Sequence, residues 1–480
     1  MAGFKEIIKH TGNYLVANLA TRALAFISIP IYTRLLSPAD YGVLSVFLGV
    51  VGIIGSVLTL CTDQSISRYF FDQKNEDDFR RFTGTSSILA VGIFFINAFL
   101  LFIFAKDFGK LVGLQKNLVY LMIPFSFFNA ISLTFEQIYG PLKRSKGIAL
   151  ASLSRAYISF AFSVGAILIL KTDKYYGPVI GQILGGAVLA VYWIKCIAPY
   201  FKFSFDKSYV KYIVSYSVPL VPYVLSGVII DQFGKIAIGT RSASQAGFYS
   251  LALTIANIVS IVIAVTLQAW NPYYFEYMNT KNYEKHDQDQ DKIFRITLFV
   301  AIGVAALGNE IGILLASKAY STSLYLVPVF VIGYVFYQLS YVYMRNFGFT
   351  RKTQYLTFTV LLSGISNVVF NTILIPWKGE LGAAFSLVLS YILMAVLAWI
   401  FNKYFVKFYT SPLRIFLIPL LITSPFFLAT YFVFLIKLFI VKIIIKVLLI
   451  LLSGLILFWD FKEDILKYLK QSKKISNAAN

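Results

Sequence analysis

Once the charges at loops and span ends are set aside, seven ionisable side chains remain inside otherwise apolar stretches of about 20 residues: Arg22, Glu136, Arg155, Asp231, Lys235, Glu310 and Lys446. A charge in hydrocarbon costs at least ~2.5 kcal/mol, so such residues face a bundle interior or a wet cavity, or reach for an interface. Arg22, with Asn18 one turn earlier on the same helical face, suits an anion. A guanidinium gives an oxyanion two parallel N–H bonds, although backbone carbonyls can also satisfy one. Arg155 stands one to two turns into its stretch, where its stem can also snorkel. Asp231 and Lys235 are four apart, the spacing of a pair along one helical face, structural or functional. Glu136 reads as interfacial. Glu310 reads either as a proton or cation carrier or as an end residue paired with Lys318, and Lys446 as structural or lipid-facing. Arg22, Arg155 and Lys235 against the single central acid Asp231 describe a cavity for an anionic substrate, with Asp231 and Glu310 as ion-coupling candidates. Tyr216 and Tyr223 are cavity tyrosines that can stack on sugar rings.

The elements that carry these residues are membrane helices. Of 480 residues, 58% are hydrophobic and 14% charged, and apolar runs recur from end to end. Each is long enough for a hydrocarbon core of ~30 Å, and none alternates as a β-barrel strand does. The expected spans are 13–33, 42–65, 84–105, 118–139, 149–170, 177–198, 213–236, 247–270, 294–316, 324–343, 355–375, 381–401, 413–434 and 439–459. This is an all-α polytopic chain of about fourteen spans. Residues 1–11, with Phe4, Ile7 and Ile8 against Lys5 and Lys9, form an amphipathic interfacial helix rather than a cleaved signal.

The net charge of +21 does not point to nucleic acid, because the basic residues sit in short loops. Alternate loops, together with both termini, carry well over twice as many as the opposite set. The positive-inside rule then puts both termini in the cytoplasm. Cys61 and Cys196 have no metal-ligand or disulfide spacing, and no Walker A sequence supplies an ATP engine. No cofactor is expected beyond a coupling H+ or Na+. The longest connection, about 271–292, reads as a solvated cytoplasmic loop, and its DQDQD run lacks the glycine and terminal glutamate of a calcium loop.

A shift of 205 residues sets Ser37, Gly42, Ser45 and Leu48 on Ser242, Gly247, Ser250 and Leu253, and the same shift sets Gly177 on Gly382 and Ala190 on Ala395. An even number of spans separates the copies, so both halves share one orientation, the parallel-repeat plan of some transporters. The expected divisions are an N-lobe at 12–201, a C-lobe at 202–405, an appended pair of spans at 406–460 and a basic tail at 461–480.

The hairpin IPIYTRLLSPADYG, Ile29 to Gly42, resembles the first hairpin of bacterial oligosaccharide flippases, the Wzx-type polysaccharide exporters. Val218-Pro219-Leu220-Val221-Pro222, Gly247-Phe248-Tyr249-Ser250 and Ala269-Trp270-Asn271-Pro272 resemble that family's seventh and eighth spans. Asn367, Asn371, Ile375-Pro376, Gly379 and Gly382-Ala383-Ala384 resemble its eleventh and twelfth. The resemblance implies the fold of the multidrug/oligosaccharidyl-lipid/polysaccharide exporters, two six-helix lobes around a central cavity. It also implies movement of undecaprenyl-pyrophosphate-linked glycans to the outer leaflet by alternating access, driven by an ion gradient. Cavity cations meet the pyrophosphate in such relatives, a role carried here to Arg22, Arg155 and Lys235, and polysaccharide polymerases are the implied partners. A lipid II flippase is a close rival. A multidrug exporter would favour acidic cavity residues and twelve spans, and a glycan polymerase or ligase would need a large outer loop.

Overall fold

The computed structural model describes Leu24, residues 26–434 and residues 438–459, and all regular elements among them are helical. They are α1 (Pro38–Thr59), α2 (Gln64–Tyr69), α3 (Glu76–Ile103), α4 (Ala105–Val112), α5 (Lys116–Tyr139), α6 (Ser145–Ile169), α7 (Tyr176–Ile197) and α8 (Lys207–Ser217). There follow α9 (Val221–Gly239), α10 (Ala243–Thr280), α11 (Tyr283–Leu315), α12 (Val327–Phe349), α13 (Gln354–Ile400), α14 (Arg414–Phe434) and α15 (Phe439–Phe458). Among the described residues, 11 helical stretches are long and apolar enough to cross a membrane, and Arg414–Thr430 is a shorter apolar one. One of the 11, Gln354–Val406, breaks at Gly379, where φ is +56°, and so supplies two of the expected spans. The first expected span, with Arg22, lies largely outside the described residues.

The connection expected as a loop at 271–292 is helical. Helix α10 runs 38 residues to Thr280 and α11 starts at Tyr283, with Lys281 in the left-handed region at the turn. At 1.5 Å per residue α10 far exceeds a ~30 Å core, so it extends beyond the membrane. The DQDQD acids are anchored rather than merely solvated. Asp287 accepts hydrogen bonds from Tyr409 and Ser411, Asp289 accepts one from Tyr277, and Asp291 pairs with Arg295 one turn on.

The chain forms two compact units: residues 1–251, 313–323 and 354–390 in one, and 252–312, 324–353 and 391–480 in the other. In the first unit, the Ser37-Pro38 signal is a helix start. The Ser37 hydroxyl accepts the Asp40 N–H at 3.1 Å, and Asp40 Oδ2 accepts from the Ser37 N–H and hydroxyl. This reciprocal capping leaves a negative charge in the first turn, where the helix dipole favours it. The repeat copy begins beside it. A Cβ on Gly42 would lie 1.7 Å from the Ala243 carbonyl oxygen, and one on Gly247 would lie 2.1 Å from that of Pro38. The two glycines related by the repeat thus let the two helix starts touch backbone to backbone. Tyr320, fully buried, packs on Tyr41 and Phe248 and donates to the Leu36 carbonyl at 3.1 Å.

Helices α6 and α7 pack along a second small-residue seam. Added Cβ atoms at Gly177, Gly181 and Gly185 would meet Ile167, Ser163 and Ser159 at 2.5, 2.3 and 2.2 Å. Close approach through small residues spaced by four is how helices associate where lipid gives no hydrophobic drive.

Gly42→Ala and Gly247→Ala should each destabilise the protein by about 1–3 kcal/mol through overpacking. Gly55, with open space around its Cβ, is the control, and Gly55→Ala should be neutral or slightly stabilising. Thermal unfolding in detergent measures all three, and equal melting temperatures would refute the contact.

Candidate functional site

Arg155 continues the α6–α7 seam, one turn before Ser159. Its guanidinium lies over the indole of Trp193, 5.7 Å from the ring, a cation–π distance. It is half-buried, and its charge acts on Glu136 of α5, which also feels Asp63. Asp63 stands just past the end of α1, where Leu60 and Cys61 both adopt positive φ, 48° and 53°. Successive left-handed non-glycine residues are strained, and here they end α1 before the polar Thr62-Asp63-Gln64-Ser65 run. Glu136, read from the sequence as interfacial, thus lies within reach of the Arg155 charge. Asp63 escaped the sequence reading because it sat at the end of a span.

On α9 the i,i+4 spacing places Lys235 within reach of the Asp231 charge, and Lys235 Nζ donates to Gln232 Oε1 at 3.0 Å. Gln232 in turn packs on Gly49 of α1, so this face of α9 is the one held against α1. Nearby, α13 folds back on itself after Gly379. Asn367 donates to Ser390 at 3.0 Å across the two limbs, and Asn371 donates back to Asn367. The Asn371 Oδ1 has no hydrogen-bond partner, and Asn371 also lines a cavity of about 530 Å³ between α1, α4, α9 and α13. Apolar groups such as Ile53, Phe108 and Phe233 dominate its wall, and Thr240 and Arg241 are among its few polar members. None of Arg155, Asp231 and Lys235 lines it. Two asparagines four apart in an apolar run are visible in the sequence as a polar face.

In the second unit Glu310 and Lys446 form one ion pair. Lys446 Nζ lies 2.8 and 2.6 Å from the two carboxylate oxygens, and Lys446 is only 2% exposed. Glu310 is thus paired, though with Lys446 rather than Lys318, and of the two alternatives for Lys446 the structure shows the structural one rather than the lipid-facing one. Three intervening helices, α12 to α14, hid the pair from a reading by local spacing. A correction concerns Arg345, expected in a loop. Helix α12 runs on to Phe349 and buries the Arg345 guanidinium on Trp270 and Tyr274, 4.6 and 4.9 Å from their rings. The aromatic run through Tyr341 and Tyr343 was the available signal.

Residues 7–278 match the model of a family described as polysaccharide biosynthesis protein. The chain belongs to that family. A protein of the Lsg locus of Haemophilus influenzae is 24% identical over 289 residues, 58% of this chain and 68% of its own. An uncharacterized membrane protein of Methanocaldococcus jannaschii is 22% identical over 444 residues, 84% of each. Among solved structures, the lipid II flippase MurJ in an inward closed conformation superposes with a TM-score of 0.71 at 16% identity, over 93% of this chain and 99% of that one. An inward-facing multidrug resistance MATE family transporter of the MOP superfamily gives 0.58 at 15% identity, over 80% and 94%. This polysaccharide biosynthesis protein is thus a multi-pass membrane protein with the fold of the MOP transporters, the fold the hairpin resemblance implied.

The Glu310–Lys446 pair makes a sharp prediction for this family member. Lys446→Met strands a buried carboxylate and should cost about 3–5 kcal/mol, whereas the double change with Glu310→Leu should recover most of that loss. Unfolding of the two single variants and the double variant in detergent tests it, and additive losses would dismiss the pair.

Proposed function

We propose that this protein is a flippase that carries undecaprenyl-pyrophosphate-linked oligosaccharides, destined for O-antigen, capsule or a related surface polysaccharide, from the inner to the outer leaflet. The observation that carries the reading is the family match over 7–278 together with the span of the fold likeness. The lipid II flippase superposes on 93% of this chain, whereas the multidrug transporter leaves a fifth of it uncovered. That difference favours a lipid-linked substrate over a drug. It also makes lipid II the specific second reading, distinguished below by substrate.

In this reading the chain sits in a bacterial cytoplasmic membrane with both termini inside, as the bias of basic loops indicates. The pyrophosphate docks on Arg22, Arg155 and Lys235, the sugars occupy an aqueous cleft and the polyprenyl tail stays in lipid. Of these cations Arg155 already feels the charge of Glu136. Asp231 is the better ion-coupling candidate, since both oxygens of Glu310 are engaged by Lys446. Alternating access then moves the headgroup without ATP, using the H+ or Na+ gradient, and a polysaccharide polymerase takes the product.

In a strain lacking this protein, labelled lipid-linked oligosaccharide should collect in the inner leaflet. An Arg22→Ala or Lys235→Ala copy, expressed normally, should clear it at least about tenfold more slowly, the scale of one lost charge-assisted contact. Clearance of lipid II but not of the oligosaccharide would shift the reading to the peptidoglycan precursor. Glycan reaching the outer leaflet unaided, with no second flippase present, would remove the flippase reading.

Asp231→Asn should abolish the dependence of transport on the ion gradient. The check is transport in vesicles with and without an imposed H+ or Na+ gradient, and unchanged coupling would exclude Asp231.

A further inference from the structure

Trp270 of α10, Gln290 of α11, and Gln338 and Arg345 of α12 all belong to the second unit, and every polar side-chain atom of the four is buried without a hydrogen-bond partner. Arg345 and Trp270 are in direct contact. Arg345 lies against Trp270 and Tyr274, with Tyr341 completing the aromatic cage at 5.8 Å. Gln338 stands two turns before Arg345 on the same face of α12. Gln290 is one turn beyond His286, whose ring packs 5.1 Å from Trp270. Buried polar groups are normally satisfied, and a buried guanidinium without a counter-ion is among the most costly exceptions.

The immediate neighbours cannot supply what is missing. The Tyr274 hydroxyl is spent on Asn346 at 2.5 Å, and Asn346 donates to Asn402 and to the Tyr409 carbonyl. Asp287, the nearest acid in that network, is held by His286, Tyr409 and Ser411. The ring faces offset part of the positive charge, but they accept none of the five guanidinium N–H bonds in a directional way. The Arg345 guanidinium and the indole N–H of Trp270, on which it stacks, are donors, and the partner they call for is an acceptor of opposite charge.

We infer that Arg345 is the centre of a phosphate-type anion site, with Tyr341, 39% exposed, as its outer wall. The ligand is a multiply charged phosphate or pyrophosphate oxyanion gripped bidentately by the guanidinium, with Trp270 Nε1–H as a further donor. That the anion is the headgroup of a lipid-linked glycan rests on the function proposed above, but the site itself does not. Arg345 would then be a second phosphate station, separate from Arg22, Arg155 and Lys235.

Trp270 is a built-in reporter. The full chain in nanodiscs of zwitterionic lipid is titrated with sodium pyrophosphate, with geranyl pyrophosphate and with geraniol, following tryptophan fluorescence. A saturable change with at least one pyrophosphate, none with geraniol, and loss of the signal in Trp270→Phe is the expected result. Arg345→Gln should weaken the binding at least about tenfold. Arg345→Lys, which keeps the charge and the fold but not the fork, should weaken it less. Response to free pyrophosphate identifies a site for the bare anion, and response to the prenyl form alone identifies a lipid headgroup. No saturable change with either pyrophosphate, or equal affinity in folded Arg345→Gln and Arg345→Lys proteins, overturns the proposal. Pyrophosphate binding without glycan transport in the deletion strain would leave this site standing while the flippase reading falls. Glycan transport without Arg345-dependent binding would do the reverse.

Discussion

Two backbones meet at Gly42 and Gly247, and much of the first unit depends on that meeting. Each glycine faces a carbonyl of the other helix start, so neither position has room for even a methyl group. The contact fixes where α1 and α10 begin, the reciprocal cap of Ser37 and Asp40 fixes how α1 begins, and Tyr320 seals the aromatic side. From this corner α1 runs along α9, bringing Gly49 and Gly52 against Gln232 and Val228 and so setting the face on which Lys235 sits. Small residues here substitute for a hydrophobic drive that lipid cannot supply.

A bundle this apolar makes the handling of its buried charges informative. Glu310 and Lys446 neutralise each other. Arg155 combines a ring face with the charge of Glu136, and Lys235 combines an amide with Asp231. These three solutions differ in how much capacity they leave for a ligand. The ion pair leaves least, while the Lys235 ammonium still has donors to spare after Gln232. Arg345 is the outlier among these charges: its guanidinium is stacked on rings, but its N–H groups have no acceptor.

The helical membrane plan was legible because apolar runs of about 20 residues are a direct consequence of bilayer thickness. So was the hairpin at Ser37, since proline and a first-turn aspartate act locally. The 205-residue repeat also foretold a structural relation, because Gly42 and Gly247 prove to be contact partners. What local reading missed was partnership at long range. Lys446 lies 136 residues from Glu310, and no spacing rule reaches across that gap. Arg345 was misplaced for a different reason. Hydropathy ends a span at the first charge, yet α12 continues, because tryptophan and tyrosine rings give that charge a place inside.

The Glu310–Lys446 pair also has a consequence in time. Chains are made from the N-terminus at about 5–20 residues per second, so roughly 7 to 27 seconds separate the synthesis of Glu310 from that of Lys446. Throughout that interval α11 exists with an acid whose eventual partner has not yet been made. Water, an insertion factor or another part of the nascent chain has to hold Glu310 in the meantime. Helix α15 is therefore less an appendage than a closing step for α11, which reaches its final environment only after α15 has been made.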